Sequence, residues 1–428
     1  MKEFISLIKR AVEKIKSTES VIQVVSHYDA DGITSAAMLT SSLLYLNKDF
    51  QITVVKKINS NLIKDLKLRN PELVLFADIG SSYLEEIKEL NCDIIITDHH
   101  DIVGSESERI IHINPELLEI NLSGAGTTYL LVREIFENNS LAPLAIVGTI
   151  GDYAYSANSK IFESPFVEME RGLNLFGRLS RPLHQTLGFS GLLDIDQSKA
   201  IQFLAELGIK SQKNGKWRTL NDLDEDEKKK LADAIVKENH GKFDKERIFS
   251  DIWTLRNYPD ELQDAREFAT LLNACGRMGE AATGIAVCLG NKKFLGNARG
   301  LLKGYKRLIA NYMRWLENNP ESIKQSDFAT YIIAKDNIHE NLIGTIVSMI
   351  FKNSEKSIIG LADAEDGIKV SARSRDIDIN KIISEAARMC GGKGGGHREA
   401  AGCTIPKGTE EEFIKICDNL LKEKFIKI

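Results

Sequence analysis

Short, nearly continuous apolar runs alternate with helical stretches in the N-terminal part of the chain. The runs that we predict to be strands cover residues 21–26, 52–57, 73–77, 93–97 and 110–113. Strands this short that are apolar on both faces are typical of a parallel sheet with helices packed on each side. Residues 1–17 carry apolar side chains at helical spacing, which predicts a first helix. The sequence therefore predicts an α/β fold whose N-terminal domain is a doubly wound parallel sheet.

The alternation of strands and helices stops after this domain and returns near the C-terminus. The middle of the chain is predicted to be helical, and strands reappear from Phe328, followed by a helix near 379–389 and a glycine-dense loop. We therefore predict a domain over 1–155, a helix-rich insertion with a connecting helix over 156–325, and a smaller α/β domain over 326–428. A length of 428 residues supports this division, because single cores stop growing beyond roughly 250–300 residues.

Charge, hydropathy and cysteine content narrow the class of protein. The formal net charge of −5 lacks the overall basic character of a duplex DNA-binding protein, so any contact with nucleic acid would be local. No run approaches the ~18 apolar residues of a membrane helix, so we expect a cytoplasmic protein without a membrane partner. The 6 cysteines form no CxxC pair, which favours reduced, buried thiols over disulfides or a zinc site.

Acidic residues and histidines cluster where three of the predicted strands end. The clusters are SHYDADG at 26–32, DIGSS at 78–82 and TDHHD at 97–101, and GTIGD at 148–152 follows another apolar run. Each aspartate cluster taken alone is more typical of an Asx-turn or a helix cap. However, three of the 8 histidines lie in these clusters. Ligands of open parallel sheets bind outside the carboxyl ends of the strands, so we expect the clusters to converge on one site.

The residue types in these clusters predict a metal site. Carboxylates that face one crevice repel one another and raise each other's pKa values, and divalent cations relieve this repulsion. Imidazole and carboxylate ligands without thiolate suit manganese or magnesium better than structural zinc. Two such ions roughly 3.5–4 Å apart hold the attacking hydroxide and the leaving oxygen of a phosphoryl displacement. We therefore predict hydrolysis of a phosphate ester with two divalent metal ions, Mn²⁺ preferred or Mg²⁺.

The motifs HYDADG, DIGSS, TDHHD and GTIGD resemble, in order and spacing, those of the DHH phosphoesterase superfamily. GGKGGGHREAAG at 391–402, preceded by VSARS at 370–374, resembles the DHHA1 substrate-binding domain of RecJ-type members. Three further motifs are similar to archaeal RecJ-like exonucleases, the group that includes the GINS-associated nuclease. They are FGRLSRPL at 176–183, LLNACGRMG at 271–279 and ENLIGTIVSMI at 340–350. The segment around 210–248 has no counterpart in these resemblances.

The resemblance implies roles for individual residues of the clusters. The implied metal ligands are His27, Asp29, Asp31, Asp78, His99 and Asp152. Asp78 would be shared between the two ions. Two catalytic residues follow from the same motif, with Asp98 orienting a ligand imidazole and His100 contacting the scissile phosphate. No ligand position is substituted, which argues against an inactive relative.

The glycine-dense segment has a physical interpretation of its own. Glycines leave backbone N–H groups bare, so that a phosphate can approach them closely. Arginine and histidine side chains beside them can add charge-assisted hydrogen bonds. A glycine-rich turn is equally typical of a flexible connection, but its occurrence with a metal-bearing domain favours substrate binding. The predicted substrate-binding residues here are Ser371, Arg373, Gly394, Gly395, Gly396 and His397.

A stretch without acidic residues, 281–316, contains lysines and arginines with aromatic residues between them. Its aromatic residues are Phe294, Tyr305, Tyr312 and Trp315. Cations for phosphates and rings for stacking are typical of a groove for single-stranded nucleic acid. We predict that 292–315 is a helix that lines such a groove, with Lys303, Lys306 and Arg307 as binding residues. The alternative is that the aromatic residues belong to the core and the cations form a solvated face.

The leading functional hypothesis is a metal-dependent exonuclease on single-stranded nucleic acid, degrading DNA from the 5′ end in replication or repair. The large middle region favours it, because a dinucleotide requires no channel. An RNA exonuclease acting from the 3′ end and a short-oligonucleotide phosphodiesterase remain open, since polarity and sugar preference depend on the shape of the channel. A further alternative is a component of the replication complex, because relatives bind the GINS complex and the replicative helicase retains a non-catalytic relative.

Overall fold

The computed structural model describes residues 2–105, 107–118, 120–136, 139–152, 163–193, 195–240, 245–351 and 354–425. The chain divides into two compact units, Met1–Leu301 and Leu302–Ile428. The predicted division into three domains, with boundaries at 155/156 and 325/326, is finer than these two units, and we retain it as a proposal. Within the described ranges, no helix is both long and apolar enough to cross a membrane. All six cysteines are buried free thiols, as the sequence predicted.

A five-stranded parallel sheet lies at the centre of the first unit, in the order β2-β1-β3-β4-β5. The strands are β1 (Ile22–His27), β2 (Phe50–Val55), β3 (Leu73–Ala77), β4 (Asp93–Thr97) and β5 (Ile110–Ile113). The accompanying helices are α1 (Lys2–Ser17), α2 (Ala30–Tyr45), α3 (Ser60–Arg69), α4 (Leu84–Ile87), α5 (Gly124–Arg133) and α6 (Ala142–Gly151). Each predicted run matches a strand to within two residues, and the predicted first helix is α1.

The apolar runs are continuous because helices cover both faces of this sheet. On one face, Val25, Phe76 and Ile96 pack in a buried core with α3 and α4. On the other face, α2 and α5 pack against β1, β3 and β4. β1 lies between β2 and β3, so the strand order reverses beside it, and ligands of doubly wound sheets bind at such a point. The predicted α/β class with a doubly wound parallel sheet is confirmed.

The middle of the chain is rich in helices and also contains two small antiparallel sheets. Strands β6 (Val167–Leu173) and β9 (Phe249–Leu255) form one, and β7 (Gln212–Lys213) and β8 (Lys216–Trp217) form the other. The helices are α7 (Leu183–Ser190), α8 (Gln197–Glu206), α9 (Glu225–Glu238), α10 (Lys245–Ile248), α11 (Ala265–Arg277), α12 (Ala281–Cys288) and α13 (Lys292–Asn318). Buried leucines and isoleucines from 173–248 form a separate core within this region. The residues 153–162, which precede it, lie outside the described ranges.

The second unit contains a six-stranded mixed sheet, in the order β10-β11-β12-β13-β15-β14. Its strands are β10 (Ile323–Gln325), β11 (Ala329–Lys335), β12 (Ser357–Ala364), β13 (Gly367–Arg373), β14 (Lys393–His397) and β15 (Ala400–Ile405). Its helices, besides the end of α13, are α14 (Glu340–Phe351), α15 (Ile379–Met389) and α16 (Glu410–Phe425). The sheet packs against α15 and α16 through a core that includes Ile359, Val370 and Phe413. This is the predicted second α/β domain.

One prediction about this unit was wrong, because the glycine-dense segment is not a loop. Residues 393–397 form the edge strand β14, which pairs with β15 in antiparallel register. A Cβ on Gly394 would lie 2.7 Å from the Cβ of Cys403, and one on Gly396 would lie 2.6 Å from the carbonyl oxygen of Ala400. Only glycine allows the two strands to approach this closely.

Candidate metal centre

The four acidic and histidine clusters meet at the carboxyl edge of the parallel sheet. His27 ends β1, Asp78 follows β3, and the DHH turn at 98–100 follows β4. Because β1, β3 and β4 are neighbours, their carboxyl ends lie side by side. The fourth cluster arrives from α6, whose C-terminal cap is Asp152. The topology thus brings the predicted site residues of the first unit into one crevice.

One group in this crevice consists of His27, Asp29 and Asp78. The Nδ1 atom of His27 lies 3.0 Å from Oδ2 of Asp29 and 3.4 Å from Oδ2 of Asp78. Asp29 is also the N-cap of α2, and its Oδ1 accepts a hydrogen bond from the N–H of Gly32 at 3.1 Å. One oxygen of Asp29 therefore fixes the start of the helix, and the other faces the crevice. Ligand atoms of all three residues lie close enough to hold one metal ion.

A second group surrounds the imidazole of His99, which is buried. Its Nε2 lies 3.5 Å from Oδ1 of Asp78, 3.5 Å from Oδ2 of Asp152 and 3.8 Å from Oδ2 of Asp31. Asp78 thus offers one oxygen to each group. Its backbone adopts φ +56, a left-handed conformation that aspartate tolerates better than most residues and that directs the carboxylate between the groups. The geometry places Asp78 as the shared member of two neighbouring donor sets.

Asp31 is held in place by the N-terminus of α5. Its Oδ2 accepts a hydrogen bond from the N–H of Gly124 at 2.8 Å, and its Oδ1 accepts one from Ala125 at 2.8 Å. These N–H groups belong to the first turn of a helix, where the helix dipole favours a carboxylate. A Cβ on Gly124 would lie 2.5 Å from Oδ1 of Asp78, so only glycine fits here. This support was not predicted from the sequence, in which the SGAG segment at 123–126 is the available signal.

Asp98 is fully buried and organises the DHH turn. Its Oδ1 accepts hydrogen bonds from the N–H of His99 at 2.8 Å and from Nδ1 of His100 at 2.7 Å. Its Oδ2 accepts one from the N–H of Ser81 at 2.9 Å. We expected Asp98 to orient a metal-ligating imidazole, but the imidazole that this bond orients is that of His100. The His100 side chain is 38% exposed, so a substrate can reach it.

A buried polar network lies behind this turn, and it too was not predicted from the sequence. The hydroxyl of Ser81 lies 2.9 Å from Nε2 of His112, and Nδ2 of Asn114 donates to it at 3.1 Å. The same Asn114 amide donates to the carbonyl oxygen of His100 at 2.9 Å. The network connects β5 to the DHH turn and fixes the His100 backbone. Its signal in the sequence is a histidine inside the otherwise apolar strand β5.

The electrostatics of the crevice favour a cation. Burial raises the pKa of Asp31 well above its ordinary value, and the Asp78 and Asp152 carboxylates raise it further. Burial likewise raises the pKa of Asp152 to about 6. Burial opposes the charged form of His27, but the adjacent Asp29 carboxylate outweighs it and raises the imidazole pKa well above its usual range. Asp31 and Asp152 thus retain their protons to a higher pH than an ordinary aspartate does, and a divalent ion would replace those protons.

The donor set fits a divalent metal ion. Both carboxylate oxygens of Asp78 are buried and accept no hydrogen bond from any described residue. Such oxygens are rare in folded proteins, because burying them without a partner is unfavourable. Carboxylate and imidazole donors without thiolate are those that manganese and magnesium accept. The two donor groups that share Asp78 therefore match the requirements of a metal centre.

The predicted substrate residues of the second unit lie on two strands, β13 and β14, which both pair with β15 between them. Arg373 on β13 and His397 on β14 both pair with Ala400 of β15. They stand in one row across the sheet, and residues in one row project from the same face. In the same way, Ser371 and Gly395 both pair with Gly402. The sheet therefore places Ser371 and Arg373 on β13, one strand away from Gly394, Gly395, Gly396 and His397 on the edge strand β14.

The basic stretch forms the helix that the sequence predicted, α13, on which Phe294 is exposed but Tyr305 and Tyr312 pack against neighbouring residues. Lys303, Lys306 and Arg307 are exposed. Tyr305 is buried, and its hydroxyl lies 3.1 Å from that of Thr345. The Tyr312 hydroxyl accepts a hydrogen bond from the N–H of His339 at 3.4 Å, so this ring also packs within its own unit.

A parallel sheet with buried carboxylates and imidazoles at its carboxyl edge, arranged in groups that could hold a metal ion, is the architecture expected of an α/β phosphoesterase. The chain matches the DHH family, N-terminal domain, over residues 21–151, and the DHHA1 domain over 326–423. It also matches the DHH-CID domain over 175–246, which covers most of the segment that had no counterpart in the sequence analysis.

Individual relatives agree with these matches. The uncharacterized protein MJ0831 of Methanocaldococcus jannaschii is 30% identical over 99% of this chain and 98% of its own length. The single-stranded-DNA-specific exonuclease RecJ of Bacillus subtilis is 23% identical over 99% of this chain, which spans 48% of that protein. The crystal structure of RecJ from Thermus thermophilus in complex with Mn²⁺ superimposes with a TM-score of 0.61 at 19% identity, covering 99% of this chain and 54% of that one. The chain belongs to the DHH family and is a phosphoesterase related to the RecJ exonucleases.

Proposed function

We propose that the protein is a metal-dependent exonuclease that hydrolyses single-stranded DNA, starting from the 5′ end. The observation that carries this proposal is the shared Asp78, which gives one buried oxygen to each of two neighbouring donor groups. Similarity to RecJ along 99% of the chain supports single-stranded DNA as the substrate. The Lys and Arg side chains exposed on α13 support binding of a longer strand.

The proposed metal ligands form two sets. His27, Asp29 and Asp78 would hold one divalent ion, and Asp31, Asp78, His99 and Asp152 would hold the second. Manganese is the preferred ion in this proposal and magnesium the alternative. When bound, such ions lower the pKa of a bound water and neutralise charge on the phosphate. The protein contributes the fixed donor positions, because backbone N–H groups of α5 and α2 hold Asp31 and Asp29 in place.

The proposed catalytic residues outside the metal ligands are His100 and Asp98. Burial lowers the pKa of the His100 imidazole, but the adjacent Asp98 carboxylate outweighs it, so the pKa is raised, which favours the protonated ring. Asp98 bonds the Nδ1 side of the ring, so we assign the contact with the scissile phosphate to Nε2. A charged imidazole at this position donates a hydrogen bond to a phosphate oxygen whose charge grows during the reaction.

The substrate strand is proposed to contact two surfaces. On the second sheet, those N–H groups of Gly394, Gly395 and Gly396 that point away from β15, with the hydroxyl of Ser371 on β13, would approach a phosphate. Arg373 and His397 stand in one row beside them and would add charge-assisted hydrogen bonds. On α13, Lys303, Lys306 and Arg307 would contact further phosphates of a longer strand. Because Tyr305 and Tyr312 pack within their own unit, the contacts of these three cations with the strand would be electrostatic.

End-labelled substrates test the proposal. The purified protein is incubated with Mn²⁺ or Mg²⁺ and with single strands of DNA or RNA that carry a label at either end. Immediate release of labelled mononucleotide from 5′-labelled DNA is the expected result, and the Asp29→Ala/Asp31→Ala variant should release none. Early release from 3′-labelled RNA would instead establish an RNA exonuclease. Cleavage of dinucleotides only would establish a short-oligonucleotide phosphodiesterase.

A role in the replication complex, in association with GINS, is a separate proposal that is compatible with catalysis. It follows only from the resemblance of the sequence to the archaeal RecJ-like group. A pull-down of this protein with purified GINS tests it independently of nuclease activity. The Asp29→Ala/Asp31→Ala variant should bind GINS as well as the wild type does, because the metal centre is buried.

A further inference from the structure

Two sequence motifs that the proposed chemistry does not use meet on one helix, α11. LLNACGRMG at 271–279 supplies the C-terminal half of α11, and FGRLSRPL at 176–183 supplies an arginine that binds its N-cap. α11 packs against both α2 and α6. Of these, α2 carries Asp31, and α6 ends just before Asp152. The position of α11 therefore affects two helices that present carboxylates to the metal centre.

Asn273 makes a direct contact between α11 and the 27–31 turn. Its Oδ1 accepts a hydrogen bond from the backbone N–H of Ala30 at 3.0 Å. Ala30 is the first residue of α2, so this N–H has no acceptor within its own helix. Ala30 also lies between Asp29 and Asp31 in the sequence. The Asn273 amide thus fixes the short turn from which both carboxylates project.

Gly276 allows α11 to come close enough for this contact. A Cβ at this position would lie 1.7 Å from the carbonyl oxygen of Tyr28, a distance that no side chain can adopt. The same Cβ would lie 3.5 Å from Cδ1 of Ile33 in the first turn of α2. The backbone of α11 is therefore seated directly on the turn and on the start of α2. Asn273, one helical turn earlier, reaches the Ala30 N–H from the same side.

The other end of α11 is anchored by a buried ion pair. The carboxylate of Asp264, the N-cap, accepts hydrogen bonds from the N–H groups of Arg266 and Glu267 at 2.9 and 3.2 Å. Nε of Arg178 donates to Oδ2 of the same carboxylate at 2.6 Å. Arg178 also donates to the Thr254 hydroxyl of β9 at 2.6 Å. With this end fixed to the middle region, α11 can hold the 27–31 turn in a defined position.

We propose that Asn273 is a positioning residue for the metal centre. Through its hydrogen bond to Ala30, it holds the 27–31 turn so that Asp29 and Asp31 direct their oxygens towards a divalent cation. The inference rests on the proposed metal site, and not on the nature of the substrate. Groups that orient metal ligands in this way typically contribute about 10–100-fold to metal affinity.

Binding of Mn²⁺ to the full-length protein, measured by isothermal titration calorimetry, tests the inference. We expect Asn273→Ala to weaken Mn²⁺ binding about 10–100-fold. Asn273→Asp keeps an oxygen acceptor in the same place, so it should retain most of the wild-type affinity. The matched control is Asn174→Ala, which removes an amide oxygen that accepts from Nη1 of Arg266 at 2.6 Å, at the far end of α11. This control should bind Mn²⁺ as the wild type does.

Thermal unfolding of the same samples separates positioning from stability. Asn273→Ala removes one hydrogen bond, and Asn174→Ala removes two, the second being from Nδ2 of Asn174 to the carbonyl oxygen of Arg247 at 3.2 Å. We therefore expect Tm to fall at least as far in Asn174→Ala, but a loss of Mn²⁺ affinity only in Asn273→Ala. Wild-type affinity in Asn273→Ala, or equal weakening in both variants, would overturn the inference. Absence of Mn²⁺ binding by the wild type would overturn the metal site and the inference together. Binding without cleavage of DNA would overturn only the nuclease function.

Discussion

The metal centre and the proposed substrate surfaces are built in opposite ways. In the metal centre, Asp31, Asp78 and Asp98 are at most 2% exposed, and backbone N–H groups hold Asp31 and Asp98. On the substrate surfaces, Lys303, Lys306, Arg307, His397 and the glycines of β14 are exposed, whereas Ser371 is buried and Arg373 is half-buried. A buried site keeps its geometry without a ligand, whereas exposed cations adapt to a strand and are screened by salt. The difference indicates that this protein fixes its chemistry in advance and leaves binding adaptable.

The largest expected effect comes from removing the shared carboxylate of the metal centre. Asp78→Ala takes a donor from both groups at once, so we expect turnover to fall by roughly 10³-fold or more, with loss of Mn²⁺ binding. Single-turnover cleavage of labelled DNA and calorimetry with Mn²⁺ measure the two effects. Asp233→Ala, on the exposed surface of α9, serves as the control and should change neither. Near-normal turnover in Asp78→Ala would show that the two groups do not act together.

The second-largest expected effect comes from His100, and it distinguishes catalysis from metal binding within the same crevice. His100→Ala should lower kcat by about 10²–10³-fold, the usual consequence of losing one donor to a developing charge. Its Mn²⁺ affinity should stay unchanged, because we do not assign His100 as a metal ligand. His240→Ala is the control, since His240 is 80% exposed on its side chain and lies outside the crevice. A parallel loss of Mn²⁺ affinity in His100→Ala would move this residue into the ligand set.

The same contrast explains how much of the site the sequence could predict. Parallel strands end at one edge of their sheet, so clusters that follow β1, β3 and β4 had to approach one another. Each cluster is local in sequence, and its residue types suffice to indicate a metal. The helices on both faces were predictable for a similar reason, because burial on both faces makes strand runs continuously apolar.

The supporting contacts were not predictable, because they join residues far apart in the chain. Asp31 is held by Gly124 and Ala125, 93 and 94 residues later, and Ala30 is held by Asn273, 243 residues later. Hydrophobic periodicity does not reveal such pairs, and neither partner stands out in the sequence on its own. The prediction of a loop for the glycine-dense segment was wrong for a different reason. Glycine has low strand propensity, and only the close approach to β15 makes an edge strand favourable there.

On the substrate side, the expected effect is smaller and depends on salt. Reversing Lys303, Lys306 and Arg307 to Glu together should weaken binding of a long single strand roughly 100-fold at low salt. The slope of log K against log salt should fall by about 2, from three lost phosphate contacts. Hydrolysis of a dinucleotide should be unchanged.

A matched triple variant keeps the charge change and alters only its position. Lys229, Lys230 and Lys237 are exposed lysines of α9, and their reversal to Glu gives the same net charge. This control should bind the long strand nearly as the wild type does. Equal loss in the two triple variants would mean that overall charge, and not a path along α13, governs binding. Equal loss on long and short substrates would place the three residues near the reacting phosphate.

The smallest expected effect comes from the edge of the second sheet. His397→Ala removes one charge-assisted hydrogen bond to a phosphate, so we expect KM to rise about tenfold while kcat stays nearly the same. Lys393→Ala, at the other end of the exposed strand β14, is the control and should leave KM unchanged. Steady-state kinetics on a short single strand measure both parameters. If kcat fell instead of KM rising, His397 would act on the transition state, and the contrast between a fixed chemical centre and an adaptable binding surface would not hold at this residue.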